Sequence, residues 1–192
     1  MAELSRTQAL KLLKEAAALN PGPWEKHSLN VALCAENIAS ACGMDGERAY
    51  VMGLMHDIGR RFGTRHLGHV YDGWKYMLSL GYKDIARICL THSFCNKNLQ
   101  DYIGNFDITK AQIAELEAAL AATQFDEYDR LIQLCDALGS ADGVVDIEER
   151  MADVKARYGS YPQEKHDMNI ALKDRFEKLC GRNIYQVVGK QP

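Results

Sequence analysis

Apolar residues recur at steps of three and four along most of this chain, and the two-residue alternation of β-strands is nearly absent. Gly and Pro residues break the pattern at intervals, and the polar stretch 96–107 is predicted to be an irregular surface loop. The chain is therefore predicted to be an all-α helical bundle with irregular connections. The predicted helices cover about 5–19, 24–42, 46–58, 65–80, 83–94, 109–122, 126–138, 147–158 and 163–180.

Length and composition indicate a soluble protein with one sizeable core. The chain has 192 residues, of which 47% are hydrophobic and 26% charged, values typical of a single globular domain. A net charge of -3 gives no electrostatic reason to expect a nucleic acid or an anionic membrane as partner. The N-terminus has no apolar signal core and no stretch reaches transmembrane length, so we predict a cytoplasmic location.

The cysteines do not follow a metal-binding or disulfide pattern. No CxxC pair occurs, which disfavours a zinc ribbon. Most of them lie in apolar helical stretches, where free Cys behaves as a small hydrophobic residue. We therefore predict reduced thiols at all six positions: Cys34, Cys42, Cys89, Cys95, Cys135 and Cys180.

Four predicted helices carry an ionisable residue where the apolar face requires a core residue. A buried carboxylate needs hydrogen bonds or a cation, and imidazole with carboxylate suits transition-metal ions, while Mg²⁺ accepts the oxygens. Any one such histidine is more often an ordinary core or surface residue. Four placements on separate helices favour a shared metal site. The residues are His27, His56 with Asp57, His92 and Asp136.

These residues carry a family resemblance. The segment Gly53–Gly59 (GLMHDIG) resembles the HDIG signature of the HD superfamily of metal-dependent phosphohydrolases. His27 and Asp136 resemble the first and last metal ligands of that family. The resemblance covers roughly 25–143 and implies one HD domain over residues 1–192, with the first and last helices packed on it. It also implies a metal ion held by His27, His56, Asp57 and Asp136.

The resemblance extends to a second metal ion. Many members have two further histidine ligands, and His69, followed by Gly73, resembles the H-x-x-x-G pattern that carries one of them. His92 resembles the other. His66 lies one turn before His69 and competes for the role, although the Gly73 spacing favours His69; either histidine is alternatively a surface or supporting residue. Two divalent ions are favoured over one, with Mn, Fe, Ni, Co, Zn and Mg all open.

Two residues are candidates for catalysis. The resemblance implies that Asp57 bridges the two ions or orients the attacking water, because such ions activate water and neutralise phosphoryl oxygens. Arg60 stands where the family often has Lys, and its guanidinium can grip a phosphate in a bidentate manner. The alternative for Arg60 is a solvated turn after a helix end.

The resemblance implies hydrolysis of a phosphoester or phosphoanhydride, with a nucleotide as the favoured substrate. The order of histidines resembles that of bacterial dinucleoside-tetraphosphate hydrolases and other HDIG proteins, whereas the GYP extension of cyclic-di-GMP diesterases is absent. Two alternatives stay open: a mixed-valence di-iron oxygenase of the HD type, and a non-catalytic ligand-sensing module. The sequence leaves the exact substrate and a possible homodimer undecided.

Overall fold

The computed structural model describes residues 3–189, and within them the prediction of an all-α fold is confirmed. Short 3₁₀ turns at Ile58–Phe62 and Leu99–Asp101 and a two-residue antiparallel pair, β1 Gly139–Ser140 with β2 Gly143–Val144, interrupt the helices. The predicted single domain of 1–192 includes residues 1–2 and 190–192, which lie outside the described part. The helices are α1 Arg6–Leu19, α2 Trp24–Ala41, α3 Gly46–Met55, α4 Leu67–Ser79, α5 Lys83–Thr91, α6 Lys110–Ala122, α7 Glu127–Leu138, α8 Ile147–Tyr158, α9 Gln163–Cys180 and α10 Ile184–Val187.

Most predicted helix boundaries agree with the structure because local capping residues set them. Ser5, Thr109 and Asp126 cap α1, α6 and α7 through their side chains, and each cap is a complete capping box. The predicted ends of α3 and α5 are wrong, because both helices stop three residues earlier, at Met55 and Thr91. Each of them therefore ends one residue before a predicted metal-binding histidine.

The core brings the two halves of the predicted site together through close helix packing. The main cluster of buried apolar side chains draws on α1, α2, α3, α5, α7 and α9, while a smaller one joins α4, α5 and α6. Gly53 on α3 faces α2 so closely that a Cβ there would lie 2.9 Å from Ala32 Cα. The missing side chain therefore allows α3 to pack directly against α2.

A second close approach fixes the segment after α3. A Cβ on Gly59 would lie 1.9 Å from the carbonyl oxygen of His69 and 2.5 Å from the nitrogen of Gly73. Any side chain at position 59 would push the 3₁₀ turn off α4. Gly59 and Gly73 are therefore needed for the same physical reason. Without side chains at these two positions, the end of α3 can lie against α4, the helix that carries His69.

The structure contains a disulfide between Cys42 and Cys180, so the prediction of reduced thiols is wrong for this pair. The bond joins the C-terminal ends of α2 and α9 across a sequence separation of 138 residues, with the two Cα atoms 4.5 Å apart. The other four cysteines are free and buried, as predicted. Across residues 3–189, no helix combines the length and the apolar character that crossing a membrane requires.

Candidate metal centre

All six predicted ligands meet at one place between the helices. Helices α2, α4 and α7 each contribute one ligand from within the helix. The other three ligands directly follow the last residues of α3 and α5. The cluster is continuous, with neighbouring donor atoms 3.0 to 3.8 Å apart. Its members are His27, His56, Asp57, His69, His92 and Asp136.

One side of the cluster joins α2, α3 and α7. Nε2 of His27 lies 3.0 Å from Oδ1 of Asp136. Nε2 of His56 lies 3.7 Å from the same oxygen and 3.8 Å from Oδ2 of Asp57. Ligand atoms of His27, His56 and Asp57 all fall within 4.8 Å of one another, as in a group that can hold a metal ion.

The other side joins the end of α3 to α4 and α5. Oδ1 of Asp57 lies 3.0 Å from Nε2 of His69 and 3.6 Å from Nε2 of His92, and the two imidazole nitrogens are 3.3 Å apart. These three residues form a second group with mutual distances within 4.8 Å. Asp57 belongs to both groups and offers one oxygen to each side, which is the placement a bridging carboxylate needs.

Backbone carbonyls fix the tautomer of three histidines. Nδ1 of His56 donates to the carbonyl of Gly53 at 2.7 Å, and Nδ1 of His92 donates to that of Cys89 at 2.9 Å. Nδ1 of His69 donates to the carbonyl one turn earlier in its helix. Since a carbonyl oxygen only accepts, each Nδ1 carries a proton, and Nε2 is the ring nitrogen that faces the cluster.

The cluster fits a divalent cation. Nε2 of His56 is buried and has no hydrogen-bond partner among the described residues, and such an orphaned polar atom is costly. The Nε2 atoms of His69 and His92 lie 3.3 Å apart, and a cation could accept donation from both nitrogens. Imidazole and carboxylate donors together suit first-row transition metals.

The carboxylates stay ionised in this buried site. Burial alone would raise the pKa of Asp57, but Arg60, His69 and His56 hold it well below the usual range. Burial has the same effect at Asp136, where His27 and His56 keep the pKa low. Two ionised carboxylates thus lie beside imidazole nitrogens, and both are donor types that bind divalent metal ions.

The family model of the HD domain matches residues 24–141 of this chain. The chain belongs to the HD domain family. Neither the curated proteins nor the solved structures gave a match. HD domains generally are metal-dependent phosphohydrolases, whereas the HDIG subtype stays a prediction.

Arg60 of this HD domain contacts the cluster directly. Its Nε donates to Oδ2 of Asp57 at 2.5 Å. Burial alone would lower the pKa of Arg60, but the carboxylate of Asp57 raises it by more than burial lowers it. The guanidinium is therefore always charged. Arg60 lies in the 3₁₀ turn after α3 with its side chain 31% exposed, and its role in binding phosphate stays a prediction.

The two histidines that competed for one role are separated by the structure. His69 enters the cluster, whereas His66 contributes only its backbone carbonyl, which accepts from His69. The His66 ring instead lies edge-on to Tyr158 of α8, with centroids 6.2 Å apart. The preference for His69 over His66 therefore agrees with the geometry.

A pocket of about 620 Å³ opens over the cluster of the HD domain. The cluster is unevenly exposed to it: the side chains of His27 and Asp136 are 13% and 29% exposed, against 3% and 1% for His69 and His92. The far wall comes from α8 and α9, beyond the family match. Among its lining residues are Arg150 and Arg157 of α8, Lys165 of α9 and Tyr161 between the two helices.

None of those wall residues belongs to a motif that the sequence shows. Lys165 lies in the first turn of α9, within the polar run 163–167, so its sequence context is that of a solvated surface residue. Only the packing of α9 across the mouth of the HD domain turns it toward the pocket. No spacing or motif within the chain could have identified it.

Proposed function

We propose that this protein is a metal-dependent phosphohydrolase that cleaves a phosphoester or phosphoanhydride, with a nucleotide as the favoured substrate. The observation that carries the proposal is the pair of donor groups sharing Asp57, with the buried and unpartnered Nε2 of His56 beside it. His27, His56, Asp57 and Asp136 would hold one ion, and Asp57, His69 and His92 a second.

The residues of the chain prepare the site for phosphate. A bound divalent ion would supply the positive charge that activates water and neutralises phosphoryl oxygens. Asp57 has one oxygen toward each donor group, and Arg60 holds the orientation of its carboxylate. Arg60 also lines the pocket, where the N–H groups that Asp57 does not use can donate to a phosphoryl oxygen.

Further properties belong to the same proposal. The pocket volume of about 620 Å³ lies within the range of small-molecule sites, which supports a nucleotide-sized substrate. A cytoplasmic location and the absence of nucleic-acid and membrane partners stay predictions. The oxygenase alternative uses the same kinds of donor, so only the identity of the metal and the reaction itself separate it from hydrolysis.

The test is hydrolysis by the purified chain supplied in turn with Mn, Co, Ni, Zn and Mg. The substrates are p-nitrophenyl phosphate, its bis-ester and a panel of nucleotides. We expect metal-dependent cleavage that His56→Ala and Asp57→Ala each reduce to background. His166→Ala is the matched control, because His166 pairs with Glu148 on the outer surface. Activity that survives both cluster variants would refute the proposal, and oxygen uptake by an iron-loaded protein would favour the oxygenase.

A further inference from the structure

Lys165 is a half-buried cation in the wall of the pocket. It lies on α9, and its Nζ donates a hydrogen bond of 2.8 Å to the carbonyl oxygen of Ser93. Ser93 directly follows the cluster residue His92, so the ammonium group is fixed beside the metal centre. Lys165 also lines the same pocket as Asp57 and Asp136.

Lys165 has no ion-pair partner within the described residues, although the more distant Asp136 and Asp101 oppose the effect of burial on its pKa. Within residues 3–189, no carboxylate oxygen lies within 4.0 Å of its Nζ, and the bond to Ser93 uses one of three donors. The cost is visible in the pKa of Lys165, which burial lowers. A buried charge without a partner destabilises a fold, so its presence at a pocket favours an anionic ligand.

The neighbouring helix adds to the positive charge of this wall. Arg150 and Arg157 of α8 line the pocket and share a single carboxylate, that of Asp153, at 3.2 and 2.8 Å. Together with Lys165 they give the α8–α9 wall three cations and one carboxylate, in a protein whose net charge is -3. The wall is suited to an anion, and it lies on elements other than those that form the metal centre.

We propose that Lys165 is the core of an anion subsite that binds a second phosphate group of the substrate. The inference rests on the proposed function, which assigns the phosphate under attack to the cluster and Arg60. The metal ions and the Arg60 guanidinium would neutralise the phosphate under attack. Lys165 lies on a separate helix and provides positive charge for a second phosphate group. The preferred substrate thus carries at least two phosphates, as in a nucleoside polyphosphate or a bisphosphate.

The experiment compares two non-hydrolysable probes that differ by one anionic group, methylphosphonate and methylenediphosphonate. Their dissociation constants are measured by calorimetry on the full chain at a fixed free Mn²⁺ concentration. The variants are Lys165→Met, which keeps the length and removes the charge, and Lys165→Arg, which keeps the charge. Lys178→Met is the matched control, since Lys178 lies exposed on the same helix and outside the pocket lining.

We expect the wild type to bind the diphosphonate at least about 10-fold more tightly than the monophosphonate, as one charge-assisted contact allows. Lys165→Met should abolish most of this preference and leave the affinity for methylphosphonate unchanged. Lys165→Arg should retain most of it, and Lys178→Met all of it. Thermal unfolding checks the fold, and Lys165→Met should match or exceed the wild-type Tm because it removes an unpaired, half-buried charge.

Two results would overturn the subsite. One is an undiminished preference in a folded Lys165→Met protein; the other is an equal loss of affinity for both probes, which would place Lys165 on the first phosphate. The proposed function fails separately. If no phosphate ester is cleaved with any metal while the diphosphonate preference still depends on Lys165, the subsite stands and the hydrolase assignment falls.

Discussion

Arg60 and Asp57 form an ion pair that divides the two oxygens of one carboxylate between different tasks. Arg60 Nε donates to Oδ2, and Oδ1 is left to face His69 at 3.0 Å. The guanidinium thus fixes the rotation of the carboxylate that both donor groups share. Arg60, which follows the HDIG segment, is therefore a candidate both for positioning Asp57 and for binding phosphate.

Removing this ion pair should change the pH range of metal binding. Asp57 has a pKa well below its usual range, because Arg60 and the histidines overcome the effect of burial. The carboxylate therefore stays ionised until the pH falls through that low folded value. In Arg60→Met the pKa of Asp57 rises, so protons displace the metal at a higher pH. Metal retained after dialysis between about pH 8 and pH 4 should show the shift, and Arg60→Lys should show a smaller one; identical curves would contradict the role given to Arg60.

The metal content of single variants should follow the sharing of Asp57. We expect two ions per wild-type chain, one in His92→Ala and none in Asp57→Ala, because only Asp57 belongs to both donor groups. Elemental analysis of protein purified without chelator measures this directly. His166→Ala should retain both ions. Two ions in Asp57→Ala would show that the groups do not depend on a common carboxylate.

Metal binding should stabilise the fold. A ligand present at 100 times its Kd stabilises by about 2.7 kcal/mol, which is roughly 5–10 °C in Tm for a chain of this size. Thermal unfolding with and without EDTA, at a fixed protein concentration, should show this difference in the wild type. The difference should vanish in Asp57→Ala. An EDTA effect of equal size in that variant would mean that the stabilising ion binds elsewhere.

The contact between the 3₁₀ turn and α4 should tolerate no side chain at position 59. Gly59→Ala would place its Cβ 1.9 Å from a backbone oxygen, whereas Gly73→Ala would place one at 3.1 Å from the nearest backbone atom. We expect Gly59→Ala to lower the free energy of unfolding by about 3 kcal/mol or more, as overpacking of a core does. Gly73→Ala should cost less. Urea unfolding ranks the two variants, and equal or reversed losses would contradict the packing described here.

The Cys42–Cys180 bond should contribute to stability. In the chain-entropy account a loop this long contributes up to about 5 kcal/mol. Dithiothreitol should therefore lower the Tm of the wild type and leave that of Cys42→Ser/Cys180→Ser unchanged. A thiol assay on the denatured, unreduced chain should find four free thiols. Six free thiols would show that Cys42 and Cys180 are reduced, as expected in the cytoplasm, the predicted location of the protein.

Local patterns in the sequence identified the candidate site well. His27 and Asp136 could be recognised because helical periodicity placed them on apolar faces, and the HD pair gave the register for the rest. The exact ends of α3 and α5 could not be predicted because the apolar pattern continues past the residue at which each helix ends. In both cases the turn begins at a histidine of the cluster.

Long-range features of the fold could not be predicted in this way. The Cys42–Cys180 bond closes a span of 138 residues, and no local spacing reports such a pairing. The proposed subsite at Lys165 depends on how α9 crosses the pocket, which is decided by tertiary packing and not by the residues around Lys165. Sequence patterns thus located the candidate metal centre and gave no information on the wall opposite it.

The unequal exposure of the cluster has a kinetic consequence. An ion between Asp57, His69 and His92 would lie behind side chains that are 4% exposed or less, whereas Asp136 is 29% exposed at the pocket. Water and chelators reach the outer position first, so the two ions would exchange at different rates. The protein would then pass through a half-loaded form whenever metal becomes scarce, keeping the inner ion as a nucleus around which the outer position refills.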